Sequence, residues 1–217
     1  MTMPLQKPGR SKQDYSTPAD FLAAVKAKLQ IQAFDWDFAA DAFNAKAPNY
    51  YSIENSALAR TGTQWAEVLL SGWHWGWLNP PFNDIAPWAE RCRQVREAQR
   101  SIALLIPAAV GANYFRDFID GHAHVLLLNG RLAFIEGHPK DLYPKDCVLC
   151  LFSPWVEPGY EVWNWRTDVP QTDPVAALIH NYRMGDPEIH RAIGQALKCL
   201  NIHDRARYYE GIRNVRP

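Results

Sequence analysis

The chain has 217 residues, 23 basic and 23 acidic side chains, a formal net charge of zero, and 47% hydrophobic residues. That content supplies a globular core and excludes wholesale disorder, and the length fits one α/β domain with a small appendage. Zero net charge does not announce a nucleic-acid binder. No apolar run approaches the roughly 20 residues of a membrane span, and the polar stretch Met1–Gln13 lacks the apolar core of a signal peptide, so a soluble cytoplasmic protein is expected.

In chain order, residues 1–13 read as a flexible basic arm carrying Lys7, Arg10 and Lys12. Ser16-Thr17-Pro18 then supplies a cap and a proline at the first helical position, and Phe21, Leu22, Val25 and Leu29 share one face of a helix to about Leu29. Phe34–Phe38 suits a short first strand. Asp41–Tyr51 reads as a loop with some helical character, and Ala57–Leu70 as a helix. Trp73–Leu78 is a strand that stops at Asn79-Pro80-Pro81, because proline supplies no N–H to a ladder. Asp84 can cap a helix through about Ala98. Ser101–Ile106 is a nearly all-apolar strand, as expected when both faces of a sheet are covered.

A helix from about Ala112 to Ile119 follows, then strands at His124–Leu128, Arg131–Ile135 and Cys147–Phe152. Asn129-Gly130 is a strong turn signal and predicts that the first two of these pair as a hairpin. Helices and strands alternate early and strands cluster late. The pattern predicts an α/β domain over 14–153, doubly wound, with a mostly parallel sheet and an antiparallel edge. Residues 154–217, opening with Trp155, Pro158, Trp163, Trp165 and Pro170, read as a C-terminal extension packed on the same domain, with a helix from Asp186-Pro187 to about Leu200.

The residues that carry chemistry are Asn79, Pro80, Pro81 and Phe82, which follow a strand directly, where α/β folds place ligands. An exocyclic amine is a poor nucleophile because its lone pair is delocalised into the ring. Two acceptors for its N–H groups favour pyramidalisation and free the lone pair. The Asn79 side-chain carbonyl can be one and the Pro80 backbone carbonyl the other. The prolines hold the loop rigid, so the acceptors are pre-placed where charge develops, and Phe82 offers a flat face for a base. No metal or covalent nucleophile is needed. A plain turn after a strand is the competing reading of these four residues.

Cys92, Cys147, Cys150 and Cys199 form no dense disulfide framework. Cys147 and Cys150 have CxxC spacing but no second pair, and read as part of a buried strand rather than a zinc site. Arg91, Arg93, Arg96 and Arg100 could face phosphates, although on charge alone a solvated helix face is the favoured reading. His122 and His124, Asp117, Asp120 and Glu136 are weaker candidates, better read as ordinary surface groups. Trp73, Trp75 and Trp77 read as core.

Around these residues the chain resembles the phage-type DNA N-6 adenine methyltransferases, the Dam-like family, over roughly residues 14–153. The resemblance rests on Asp14-Tyr15-Ser16-Thr17-Pro18, on Trp36-Asp37-Phe38-Ala39-Ala40 with Asn44-Ala45-Lys46, and on Glu54, Leu58 and Trp65. It continues through Leu78–Phe82, Ile85 and Trp88, then Leu104–Ala108 and Gly130–Phe134. It implies a Rossmann-like methyltransferase fold, S-adenosylmethionine as donor, and adenine in double-stranded DNA, flipped from the duplex, as acceptor. By position, Asp37, Ala39 and Ala40 would line the cofactor, Thr17 and Pro18 would close over it, and Glu54 would hold its ribose. Asn79 would serve both cofactor and base. A phage or prophage origin in a bacterial host is the implied setting.

The chain departs from the pattern in three places. Residues 37–44 contain no glycine, Phe82 stands where tyrosine is frequent, and the tail from Trp155 matches no block. Two alternatives therefore stay open: the same chemistry on RNA, cytosine N-4 or a protein glutamine, and a catalytically silent DNA-binding protein of the same fold.

Overall fold

The computed structural model describes residues 16–70, 72–134 and 142–168. The basic arm, the helix expected near 187–200, Glu136 and Cys199 lie outside the described residues.

The apolar run Ser101–Pro107 forms β4, buried at every position. Burial on both faces marks a central strand, and β4 has a partner along each edge. It pairs in parallel with β3 (Trp75–Leu78) and antiparallel with β6 (Cys147–Phe152). Beyond β3 lie β1 (Trp36–Asp37) and β2 (Asn49–Tyr50), both parallel to it. Beyond β6 lie β5 (His124–Leu128) and β7 (Gly159–Trp163). The sheet has seven strands in the order β2-β1-β3-β4-β6-β5-β7. It is mostly parallel, and its antiparallel member, β6, is inserted between β4 and β5.

Period-two alternation sorts the core into two layers. Trp75, Trp77, Ala103, Leu105, Leu149 and Leu151 point to one face, where α1 (Ala19–Leu29) covers them with Phe21, Leu22, Val25 and Leu29. Leu78, Ile102, Leu104, Ile106, Val148 and Cys150 point to the other. That face is covered by α2 (Gly62–Val68), α3 (Ala86–Glu97) and α4 (Asn113–Phe118), through Trp65, Trp88, Cys92, Val95 and Phe115. Cys147 and Cys150 are three residues apart on one strand, so they belong to opposite layers. Trp75 and Trp77 are wholly buried.

Sequence expectations change at several points: Pro18 is the cap of α1 and not its first residue, Ile85 and not Asp84 caps α3, and the expected loop 41–51 ends in β2. The predicted helix 57–70 is two elements, a 3₁₀ turn at Ala57–Ala59 and then α2. The break is made by Thr61, whose side chain accepts from Gln64 N while the Gln64 side chain accepts from Thr61 N, a capping box that starts a new helix. The predicted hairpin at Asn129-Gly130 does not form. Both edges of β5 are taken, by β6 and β7, and Gly130, at φ 106°, turns residues 131–134 out of the sheet. Finally, β7 lies in the stretch expected as an extension. Trp163 at its end is buried and Tyr160 and Val162 are exposed, an alternation that the surrounding prolines and tryptophans obscured.

The parallel pairing of β1, β3 and β4 brings the ends of all three strands to one side of the sheet, and tight packing beneath them fixes it. A Cβ at Gly76 would lie 2.8 Å from the Phe38 ring, 3.2 Å from Leu69 and 3.3 Å from Ile102. Gly76→Ala is therefore expected to destabilise the fold by about 1–3 kcal/mol through overpacking, read as a lower urea midpoint with an unchanged slope.

Candidate active site

The first strand ends in a loop that holds its shape without glycine. The Asp37 carboxylate, 2% exposed, accepts from Ala39 N at 3.2 Å with one oxygen and from Lys46 N at 3.0 Å with the other. Asp41 repeats the device further out. It accepts from Phe43 N and Asn44 N, and the Asn44 side chain accepts from Asp41 N. Among the described residues, the non-glycine positions with positive φ are Gln30 and Gln99, so no left-handed residue is required between β1 and β2. Short polar side chains bonding to nearby backbone do the work that glycine does in looser loops.

This loop, the segment after β2 and the segment after β3 enclose a cavity of about 400 Å³. Its wall contains Ala39, Ala40 and Asn44 from the first, Tyr51, Ser52 and Glu54 from the second, and Asn79, Pro80, Pro81 and Phe82 from the third. Glu54 is exposed, and the Ser52 hydroxyl donates to it at 2.6 Å. That hydrogen bond holds the Glu54 carboxyl below the usual glutamate range, so the cavity carries a fixed negative charge at neutral pH.

Of the residues singled out from the sequence, Ala39, Ala40, Glu54, Asn79, Pro80, Pro81 and Phe82 meet in this one cavity. Asp37, Thr17 and Pro18 do not line it. Asp37 lies beneath the loop it ties. Thr17 is buried behind the wall, where its hydroxyl accepts from Asn79 Nδ2 at 3.1 Å. Lys46 Nζ donates to Ser16 Oγ at 2.7 Å, so the start of α1 is latched to the same loop.

The weaker candidates lie elsewhere. His124 faces Glu161 and the Glu157 carbonyl at the opposite end of the sheet, and Asp120 there accepts from Tyr160. Asp117 pairs with Arg116. Arg96 and Arg100 bond to the Ser153 and Leu69 carbonyls, also at the far end, while Arg91 bonds to the Arg60 carbonyl and Arg93 to Glu97. Arg91, Arg96 and Arg100 tie α3 and the turn after it to their neighbours, and Arg93 pairs within the helix. Among the described residues no group of His, Cys, Asp and Glu is arranged to hold a metal ion, and no helix is long and apolar enough to cross a membrane.

Sequence reasoning missed Phe38, Tyr51 and Trp88 in the cavity wall. Their apolar character pointed to the core, which they also serve. It also missed Tyr143, which packs with Phe134 on the Phe82 ring, at centroid distances of 5.6 and 6.0 Å.

With this geometry in view, comparison with known families is decisive. The family model described as DNA N-6-adenine-methyltransferase (Dam) matches residues 6–171, more than two thirds of the chain. The chain belongs to the Dam family. The matched region runs past β7 to residue 171, so this Dam-family chain carries the family pattern further than the blocks quoted from its sequence. Comparison with curated proteins gave no match.

Burial pushes the Asp37 carboxyl from 3.8 up to about 6, against the opposing pull of its two backbone donors and of Lys46. The folded chain therefore keeps a proton that the unfolded chain releases across this window. The resulting stabilisation is full below pH 3.8 and is lost as pH rises through about 6. Asp37→Asn should abolish this dependence. The difference in unfolding free energy between the two proteins is expected to change by about 2 kcal/mol between pH 4 and pH 7, measured by urea titration at several pH values.

Proposed function

We propose that this protein transfers a methyl group from S-adenosylmethionine to the N-6 amine of adenine in double-stranded DNA, on a Rossmann-like fold, with the target base flipped out of the duplex. The observation that carries the reading is the meeting of Asn79-Pro80-Pro81-Phe82 with Ala39, Ala40 and Glu54 in one cavity. Family membership supplies the DNA and the adenine.

The cavity suits the cofactor. Its volume falls within the range of small-molecule sites. Ala39 and Ala40 keep the wall beside the β1 end small, and Glu54 presents a carboxylate past the end of the adjacent strand, where nucleotide folds hold ribose hydroxyls. When bound, S-adenosylmethionine supplies an electrophilic methyl group on a sulfonium centre.

The remaining work belongs to the chain. Asn79 Nδ2 donates to Thr17 Oγ1, an arrangement that leaves Oδ1 as the acceptor end of the amide. Oδ1 and the Pro80 carbonyl accept the two N–H bonds of N-6, favour pyramidalisation, and stabilise the positive charge that develops on nitrogen as the methyl group arrives in line. Phe82, held edge-on by Phe134 and Tyr143, gives the base a stacking face. The proton leaves N-6 for water after transfer. Thr17 and Asp37 act as positioning residues, one through Asn79 and the other through the loop.

Methyl transfer from labelled S-adenosylmethionine to unmethylated duplex DNA, followed by digestion to nucleosides, tests the reading. Label in N-6-methyladenine is expected. Label in N-4-methylcytosine would reassign the acceptor, and cofactor binding without transfer to DNA would move it to RNA or protein. DNA binding with no cofactor binding would make the chain a silent member of its family. Asn79→Ala is expected to lose most of the turnover and keep its cofactor affinity by equilibrium dialysis. Phe82→Ala should weaken productive base binding by about 1–3 kcal/mol, seen as a higher KM for DNA.

A further inference from the structure

Both the cavity and an unassigned basic surface lie at the same end of the sheet. In the antiparallel ladder Pro107 pairs with Cys147, and in the neighbouring ones Leu127 pairs with Val148 and Leu128 with Trp163. The ends of β4, β5 and β7 and the start of β6 therefore share the side on which β3 delivers Asn79. Three cations cluster there: Arg131 after β5, Lys145 before β6 and Arg166 after β7. All three are exposed. Arg91, Arg96 and Arg100 are held by backbone carbonyls, and Arg93 pairs with Glu97 in the last turn of α3, toward the far end of the sheet from the cavity.

The guanidinium of Arg166 is held in place. It stacks on the Trp165 ring at 4.0 Å and donates through one NH2 nitrogen to the Arg131 carbonyl at 3.0 Å. Trp165 in turn donates to the Gly130 carbonyl at 3.1 Å. Gly130 permits the arrangement, because a Cβ there would sit 2.1 Å from Arg166 NH1, at a φ of 106° that L residues rarely adopt. Arg131 is paired with Asp146 at 3.1 Å, with 49% and 69% of the two side chains exposed. Such a pair is weak, and a phosphate can replace it.

This strap also reaches the candidate active site. The Leu132 carbonyl accepts from Tyr143 N at 2.8 Å, and Tyr143 and Phe134 pack on Phe82. The same backbone that carries Arg131 thus supports the proposed stacking face for the base.

We infer that Arg131, Lys145 and Arg166 form a surface that grips phosphates of the DNA duplex next to the Asn79–Phe82 cavity. The inference rests on the proposal that duplex DNA is the substrate. A rigid guanidinium stacked on an indole suits a phosphate, because its fork of donors needs little ordering on binding. A strap fastened to Phe82 keeps those phosphates in register with the base pocket, and contacts of this kind position the duplex without reading its sequence.

The test measures binding of a labelled, mixed-sequence, unmethylated DNA duplex at several salt concentrations, together with methyl transfer and cofactor affinity. Arg131→Gln with Arg166→Gln should lower the salt slope by about 2 and weaken binding more than tenfold at 0.1 M salt. Cofactor affinity should hold, and the loss should appear in the KM for DNA. Lys145→Gln, whose side chain makes no hydrogen bond among the described residues, should lower the slope by about 1 and serves if the double variant folds poorly. Asp146→Asn releases Arg131 and should tighten binding, a gain that misfolding cannot produce. Arg93→Gln, on α3, is the unchanged control.

Wild-type slopes and affinities in the Lys145 and Asp146 variants would overturn the inference, whatever the wild-type enzyme methylates. Altered slopes in a protein that binds DNA but transfers no methyl would uphold it while the proposed reaction fails. A wild-type protein that binds no DNA would sink both.

Discussion

At the end of β1 a single carboxylate, that of Asp37, is buried and accepts two backbone N–H groups from the loop that follows. Burial raises its pKa, so it is an expensive residue to ionise, and its two donors and the nearby Lys46 partly offset that cost. It fixes the path of residues 38–46, and with it the placement of Ala39 and Ala40, the start of α1 through Lys46 and Ser16, and one wall of the cavity. The absence of glycine between residues 37 and 44 is then no defect. The loop takes no left-handed backbone, and side-chain acceptors satisfy its N–H groups.

A second constraint acts on Asn79. The strand before it ends against prolines, and the amide nitrogen donates to a hydroxyl near the start of the described chain, that of Thr17, 62 residues away in sequence. An amide that must present oxygen to a substrate needs its nitrogen engaged elsewhere, since the two ends are nearly isosteric. The Ser16-Thr17-Pro18 segment therefore couples the start of α1 both to the loop after β1, through Ser16, and to the segment after β3, through Thr17. Changes at either place are felt at the other, although neither Ser16 nor Thr17 lines the cavity.

The aromatic residues divide between two tasks. Trp65, Trp75, Trp77 and Trp163 are wholly buried and set the thickness of the layers on either face of the sheet. Phe82, Phe134 and Tyr143 lie between the core and the candidate site, with each pair of rings at a steep angle. Edge-to-face contacts of this kind hold a ring without covering both of its faces, which suits a ring that is to stack on something else.

The sequence alone determined the alternation of helices and strands, the buried character of Ser101–Pro107 and Cys147–Phe152, and the four-residue segment that ends β3, because these depend on local periodicity and on what proline cannot do. It also carried the family, through blocks whose order survives without any knowledge of contacts. Tertiary structure decided what local pattern cannot reach. Asn129-Gly130 has the composition of a hairpin turn, yet β6 and β7 claim the edges of β5, so the following residues become a strap. Asp37 and Thr17 look like wall residues by position but stand behind the wall, Asp37 turned onto the backbone of its own loop and Thr17 onto Asn79, 62 residues away. The arginines of α3 look like a phosphate-binding face until the carbonyls beside them are known, and Arg131, Lys145 and Arg166 become neighbours of the cavity only because strands far apart in the chain end on the same side of one sheet.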